Sequence, residues 1–219
     1  MKKFRSVYVG FLVLVALMAG AAPAAAASRW FDATNGQLSD TGWPVADTNR
    51  AGWAQAARAA QGFCAERDYV GGILNGHQSG NRKGVVCVNA EDARWYDATN
   101  GQLSDTGWPV ADTNRVGWGQ AARAAQEFCR ERDHLGGFLN GHQSGNRKGV
   151  VCVGSRDAQW FDATNGQLLD TGWPVADTNS AGWGQAGRAA QEFCGERGFV
   201  GGFLNGHQSG NRKGVICLR

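Results

Sequence analysis

The sequence predicts an α+β protein of three tandem small modules, each with one helix packed on a small antiparallel β-sheet and one intra-module disulfide. Three observations predict it. Trp30, Trp95 and Trp160 recur at a spacing of 65 residues, as do Cys64, Cys129 and Cys194, and Cys87, Cys152 and Cys217. Residues 29–88 and 94–153 are identical at 52 of 60 positions, which marks a recent duplication. Within each copy an alanine-rich stretch of helical period is followed by a Gly-punctuated pair of short strand-like stretches.

The chain opens on Lys2, Lys3 and Arg5, an apolar run over 7–18 and the small-residue stretch 21–27. This reads as a secretory signal peptide over 1–27, cleaved before Ser28. The apolar run is short for a membrane span, and nothing later in the chain resembles one. The modules follow at 28–88, 93–153 and 158–219, joined by segments of a few residues without Pro or Gly/Ser tracts. The repeat leaves their arrangement open, as beads in a row or as a closed pseudo-threefold assembly.

In the first copy Trp30-Phe31-Asp32 and Gln37-Leu38 flank Ala33-Thr34-Asn35-Gly36, and Asn-Gly predicts a tight hairpin turn there. Asp47-Thr48-Asn49 offers capping side chains for a helix from about Arg50 to Arg67, whose buried stripe carries Trp53, Ala56, Ala57, Ala60 and Cys64. After Gly71-Gly72, the segments 73–78 and 83–88 form a hairpin through Ser79-Gly80-Asn81-Arg82, with Val85 and Cys87 facing the helix. The module is ββ-α-ββ or similar. A unit of this size buries too little surface to be stable unaided.

With an export signal and two cysteines per copy, the natural disulfides are Cys64–Cys87, Cys129–Cys152 and Cys194–Cys217. Each should contribute about 3 kcal/mol by restricting the unfolded chain. Daisy-chained pairing between repeats is the rival. Thiolate metal sites lack C-x-x-C spacing, and no metal or other cofactor is expected.

The chain holds 22 basic and 19 acidic residues, but three of the basic ones lie in the signal, so the mature protein is formally neutral. Nucleic acid is therefore not an expected partner, and an anionic membrane is not either. The densest run of side-chain donors and acceptors is Asn75-Gly76-His77-Gln78-Ser79-Gly80-Asn81-Arg82. Amides, imidazole and guanidinium suit the hydroxyls of a sugar. Candidate ligand-binding residues are thus Asn75, His77, Gln78, Asn81 and Arg82, with Asn140, His142, Gln143, Asn146 and Arg147, and with Asn205, His207, Gln208, Asn211 and Arg212. Strand alternation puts Asn75 and His77 on one face and Gln78 on the other.

Each copy also carries three tryptophans. Trp30 and Trp53 are assigned to the core. Trp43, Trp108 and Trp173 sit in loops, where an indole either stacks on a pyranose or packs across a repeat joint. Asp32, Asn35 and Asp40 offer oxygens for calcium, but their spacing is not that of an EF-hand, and Asx-turn chemistry accounts for them equally. Ser79 beside His77 lacks a nucleophile elbow and a third orienting group. Glu66 with Asp68 fails as a catalytic pair because Gly198 replaces the aspartate in the third copy. Small repeated modules serve avidity better than deep catalytic pockets.

The pattern Trp53-x-Gln55-Ala56, Cys64, Gly71-Gly72-x-x-Asn75-Gly76-His77-Gln78 and Val86-Cys87 resembles the module of cyanobacterial mannan-binding lectins. The resemblance implies a helix on a three-stranded antiparallel sheet and mannose-containing glycans as partners. The expectation is a secreted or periplasmic, multivalent carbohydrate-binding protein without enzymatic activity. The alternative is an exported protein-binding module, either a hydrolase inhibitor or a surface adhesin.

Overall fold

The computed structural model describes residues 27–45, 53–89, 91, 93–110, 118–175 and 183–219; the side chains of 53–54, 75–78, 118–119, 143, 183–184 and 208 are not described. Most of the signal segment and the Asp47-Thr48-Asn49 cap lie outside these residues. The first module comprises β1 (Arg29–Thr34), α1 (Asn35–Ser39), α2 (Trp53–Ala65), β2 (Gly71–Ser79) and β3 (Arg82–Val88). The second repeats it as β4 (Ala93–Thr99), α3 (Asn100–Ser104), α4 (Trp118–Arg130), β5 (Gly136–Ser144) and β6 (Arg147–Val153). The third does so as β7 (Ala158–Thr164), α5 (Asn165–Leu169), α6 (Trp183–Gly195), β8 (Gly201–Ser209) and β9 (Arg212–Leu218). Each sheet is antiparallel with the C-terminal strand in the middle, β1-β3-β2 in the first copy.

The expected turn at Asn35-Gly36 is instead a short helix. Thr34 and Gln37 form a capping box, with the Thr34 hydroxyl accepting from Gln37 N at 3.1 Å and Gln37 Oε1 accepting from Thr34 N at 2.8 Å. These reciprocal bonds satisfy two amides that a hairpin would have used otherwise. The sheet therefore has three strands per module. Helix α2 ends in a Schellman motif, in which Tyr69 N bonds to Cys64 O and Asp68 N to Ala65 O. Asp68 and Asp133 adopt left-handed φ of 65° and 62°, so glycine at 198 is the residue this cap favours.

The three disulfides are Cys64–Cys87, Cys129–Cys152 and Cys194–Cys217, each with Cα atoms 5.4 Å apart. Each ties the buried stripe of a helix to the middle strand beneath it. The second glycine of every Gly-Gly pair makes this possible: a Cβ at Gly72, Gly137 or Gly202 would collide with the Sγ of Cys64, Cys129 or Cys194.

Both faces of each sheet are buried. Phe31, Ala33, Leu74, Val85 and Cys87 pack on the module's own helix, through Ala56, Ala60 and Phe63. The opposite face, with Ile73, Val86 and Val88, joins Phe138, Val151, Val153, Phe203, Ile216 and Leu218 in a second core contributed by all three copies. Phe138 and Phe203 meet there edge to face, with centroids 5.0 Å apart. Each helix also lies on the next module's hairpin, α2 on β5, α4 on β8 and α6 on β2. The first glycines mark the same cycle: a Cβ at Gly71 would strike Val151, at Gly136 Ile216, and at Gly201 Val86. The modules therefore form a closed pseudo-threefold ring. Among the described residues no helix is long and apolar enough to cross a membrane.

Candidate functional site

The predicted binding hairpin divides into two parts with different roles. At its tip, Ser79 pairs with Arg82 around Gly80 and Asn81, and Gly80 has φ of 57°, as the first central residue of a type II′ turn requires. Asn81 is exposed, and its carbonyl accepts from Asn35 N at 2.6 Å. Arg82 is occupied within its module: Nε meets Asp32 Oδ2 at 2.6 Å and one terminal nitrogen donates to the Asp32 carbonyl at 2.6 Å. Arg147 and Arg212 hold Asp97 and Asp162 in the same way. These guanidiniums clamp the first strand to the middle one. Of the oxygens considered for calcium, Asp32 Oδ2 is engaged by this arginine, while Asp32 Oδ1 and Asn35 Oδ1 are buried without a hydrogen-bond partner.

The other part is a bulge. Between the pairs Leu139–Val150 and Gln143–Lys148, the three residues Asn140-Gly141-His142 oppose Gly149 alone. Simple alternation fails here because Gly141, at φ of 80°, turns the strand. Asn140 is 1% exposed, and its Oδ1 accepts from His142 N at 3.0 Å; Asn205 is equally buried and accepts from His207 N at 2.9 Å. A Cβ at Gly149 or Gly214 would collide with that Asn side chain, so only glycine lets the bulge fold over the middle strand. The amide nitrogens, Asn140 Nδ2 and Asn205 Nδ2, are buried without a hydrogen-bond partner. Such a donor carries a desolvation cost until an acceptor reaches it.

These bulges line clefts at the junctions between modules. One cleft, of about 260 Å³, is bounded by Trp43, Arg58, Gln61 and Gly62 of the first module and Trp95, Asn140 and His142 of the second. The other, of about 380 Å³, lies between Arg123, Gln126, Glu127, Arg130 and Leu135 of the second and Trp160, Asn205 and His207 of the third. The third junction places α6 on β2, where the side chains of Asn75, His77 and Gln78 lie outside the described residues, as do those of Gln143 and Gln208. Trp43 thus meets the hairpin residues of the next module.

Trp30, Trp95 and Trp160, assigned to the core from sequence, are exposed. Phe31 and Ala33 point to the helix, so their neighbours Trp30 and Asp32 occupy the opposite face at its open margin. The Trp95 and His142 rings meet in a T-shaped contact with centroids 5.9 Å apart, and Trp160 and His207 do so at 6.1 Å. The loop tryptophans are half-buried instead. Arg58 covers Trp43 at 3.6 Å, Arg123 covers Trp108 at 4.7 Å and Arg188 covers Trp173 at 4.2 Å. One face of each loop ring is therefore taken by a guanidinium, whereas Trp95 and Trp160 each meet a histidine ring and keep about two fifths of their surface exposed.

Sequence reasoning overlooked the helix's contribution, Arg58 with Gln61 and their equivalents. Gln61 Oε1 accepts from Gly72 N at 3.1 Å and its Nε2 donates to Val70 O at 3.2 Å, so this amide serves the fold. Gln126 does the same with Gly137 and Leu135. The position of Asp32 would have signalled the exposed Trp: a carboxylate two residues away on the same strand shares its face. His207 has a pKa below the usual imidazole value because of burial and then the Arg123 charge, with Asp162 and Glu127 opposing and Arg130 adding to the shift. No known protein family, curated protein or solved structure matches the chain.

Proposed function

We propose that the protein is an exported, multivalent carbohydrate-binding protein whose sites are the clefts between modules, and that it binds saccharides without turning them over. One observation carries the reading: a buried, unpartnered amide donor, Asn140 Nδ2 or Asn205 Nδ2, lines a cleft with an exposed tryptophan and a histidine, and this occurs at two successive junctions. A pyranose presents an apolar face of C–H groups beside oxygens that accept hydrogen bonds. An indole answers the first and an amide the second. Ring closure makes each site composite, and more than one such cleft on a single chain gives avidity. Export agrees with the basic, then apolar, then small-residue leader and with the three disulfides.

The test is a glycan array, with high-mannose glycans included because of the lectin resemblance, followed by calorimetry. Saccharide binding at about three sites per chain is expected. Trp95→Ala should remove the first cleft. Asn140→Asp, which keeps the Oδ1 acceptor and removes the donor, should weaken that cleft about tenfold or more. Absence of glycan binding, or unchanged affinity in both variants, would overturn the proposal. Capture of an exported protein that persists in excess free sugar would support a protein-binding module in its place.

A further inference from the structure

The clefts are not chemically equivalent, although the modules are near-copies. Helix position 62 is glycine in the first module, and its counterparts are Glu127 and Glu192; position 65 is alanine, against Arg130 and Gly195. Arg123 Nε lies 3.0 Å from Glu127, which also meets Arg130 at 3.4 Å, and Arg188 Nε lies 3.4 Å from Glu192. Arg58 has no carboxylate partner among the described residues. It rests on Trp43, and burial lowers its pKa with no opposing acid.

In the cleft between the first and second modules, both ends of Gln61 are used by the backbone, leaving the Arg58 guanidinium, stacked on Trp43, and Asn140 Nδ2 as the groups without a hydrogen-bond partner among the described residues. Both only donate. His142 adds one group that donates or accepts according to its tautomer. In the cleft between the second and third modules, Asn205 Nδ2 also donates, but Glu127 supplies an accepting carboxylate already shared by two arginines. The formal charge of the two linings is the same, one net positive charge each, so the difference is in how that charge is placed. A ligand hydroxyl both donates and accepts and suits the second lining. A ligand carboxylate only accepts, suits the first, and would face Glu127 in the second.

We infer that the cleft formed by Arg58, Trp95 and Asn140 takes an acidic saccharide through its carboxylate, whereas the cleft formed by Arg123, Glu127, Trp160 and Asn205 takes a neutral one. The inference rests on the saccharide-binding reading. A single protein would then recognise a mixed glycan surface, with acidic and neutral sugars held at adjacent corners of one ring.

The probes are trisaccharides of galacturonate, glucuronate and mannuronate, each paired with its carboxyl-reduced neutral form. Binding is read by calorimetry and by NMR of the indole N–H groups of Trp95 and Trp160, which report the two clefts separately. At least one uronate should perturb Trp95 with about tenfold preference over its neutral form, in keeping with a charge-assisted hydrogen bond. Gly62→Glu, which installs the side chain that the other helices carry, should erase that preference, and Arg58→Gln should do so independently. Gly62→Glu presses a Cβ against Thr41 and Arg58→Gln gives up the stacking on Trp43, so neutral-sugar binding at Trp95 serves as the control for folding in both, and Glu127→Gln should raise uronate binding at Trp160. If neutral sugars bind and no uronate prefers the Trp95 cleft, or if Gly62→Glu and Arg58→Gln leave the preference intact, the inference fails and the saccharide reading stands. If no saccharide of either kind binds, both fail.

Discussion

Replacing Phe138 by alanine tests whether the three modules are one cooperative unit. Phe138 is only 3% exposed, and everything that covers it on the axis side comes from the second core, to which all three copies contribute. Truncating a buried Phe costs about 3 to 5 kcal/mol through lost transfer energy and the cavity left behind. In a row of independent beads, the same ring would sit on an open sheet face, and its loss would cost about 0.5 kcal/mol or less. The two arrangements thus differ by several kcal/mol, well above the uncertainty of a denaturation experiment. Phe203 belongs to the third module and contacts Phe138 edge to face, so a double-mutant cycle adds a second measure. Coupling of about 0.5 to 1.5 kcal/mol is expected for such an aromatic pair. Urea unfolding followed by fluorescence and circular dichroism should give one coincident transition for the wild type and a reduced midpoint for Phe138→Ala. A cost under about 1 kcal/mol together with strict additivity would refute ring closure.

Two further predictions concern the clefts. Gly149→Ala should destabilise the protein by about 1 to 3 kcal/mol, since the added methyl collides with Asn140 and His142; it should weaken the Trp95 cleft and leave Trp160 unaffected, as NMR of the two indoles can show. His207 should titrate by NMR with a midpoint below about 6.5, the free imidazole value. Because its folded pKa is lowered, the unfolded chain takes up the proton first as pH falls. Stability from this group is therefore complete above pH about 6.5 and declines between that pH and the folded midpoint. Arg123→Gln should move the midpoint upward, and a midpoint at or above the free value in the parent would refute the assignment.

The repeat, the bridges and the helix-on-sheet module were legible because each rests on local, periodic signals: cysteine spacing, the alanine stripe and the Gly-Asn turn. The short helix at Asn35–Ser39 was missed because Asn-Gly is also a hairpin signal, and Thr34 with Gln37 outweighs it only when both capping bonds are counted. The bulge at Asn140-Gly141-His142 was missed because strand alternation assumes a regular ladder, and the small partner that permits the bulge, Gly149, lies on another strand.

Ring closure had a signature in the sequence, and its physics connects the fold to the sites. Val85, Val86, Cys87 and Val88 are consecutive and apolar, as are Ile73 and Leu74, so both faces of the sheet ask to be buried. One helix can cover only one face. The other must be covered by something outside the module, and in a chain of near-identical copies the available cover is the same surface of its neighbours, which three copies satisfy by closing. Closure then brings each helix against a foreign hairpin, and the polar margin of that contact is where Trp95, Asn140 and Arg58 converge. Residues on different modules thereby come under different constraints. Substitutions at 62 and 65 leave the apolar faces intact, so the copies can diverge in the chemistry of their clefts while keeping the same core.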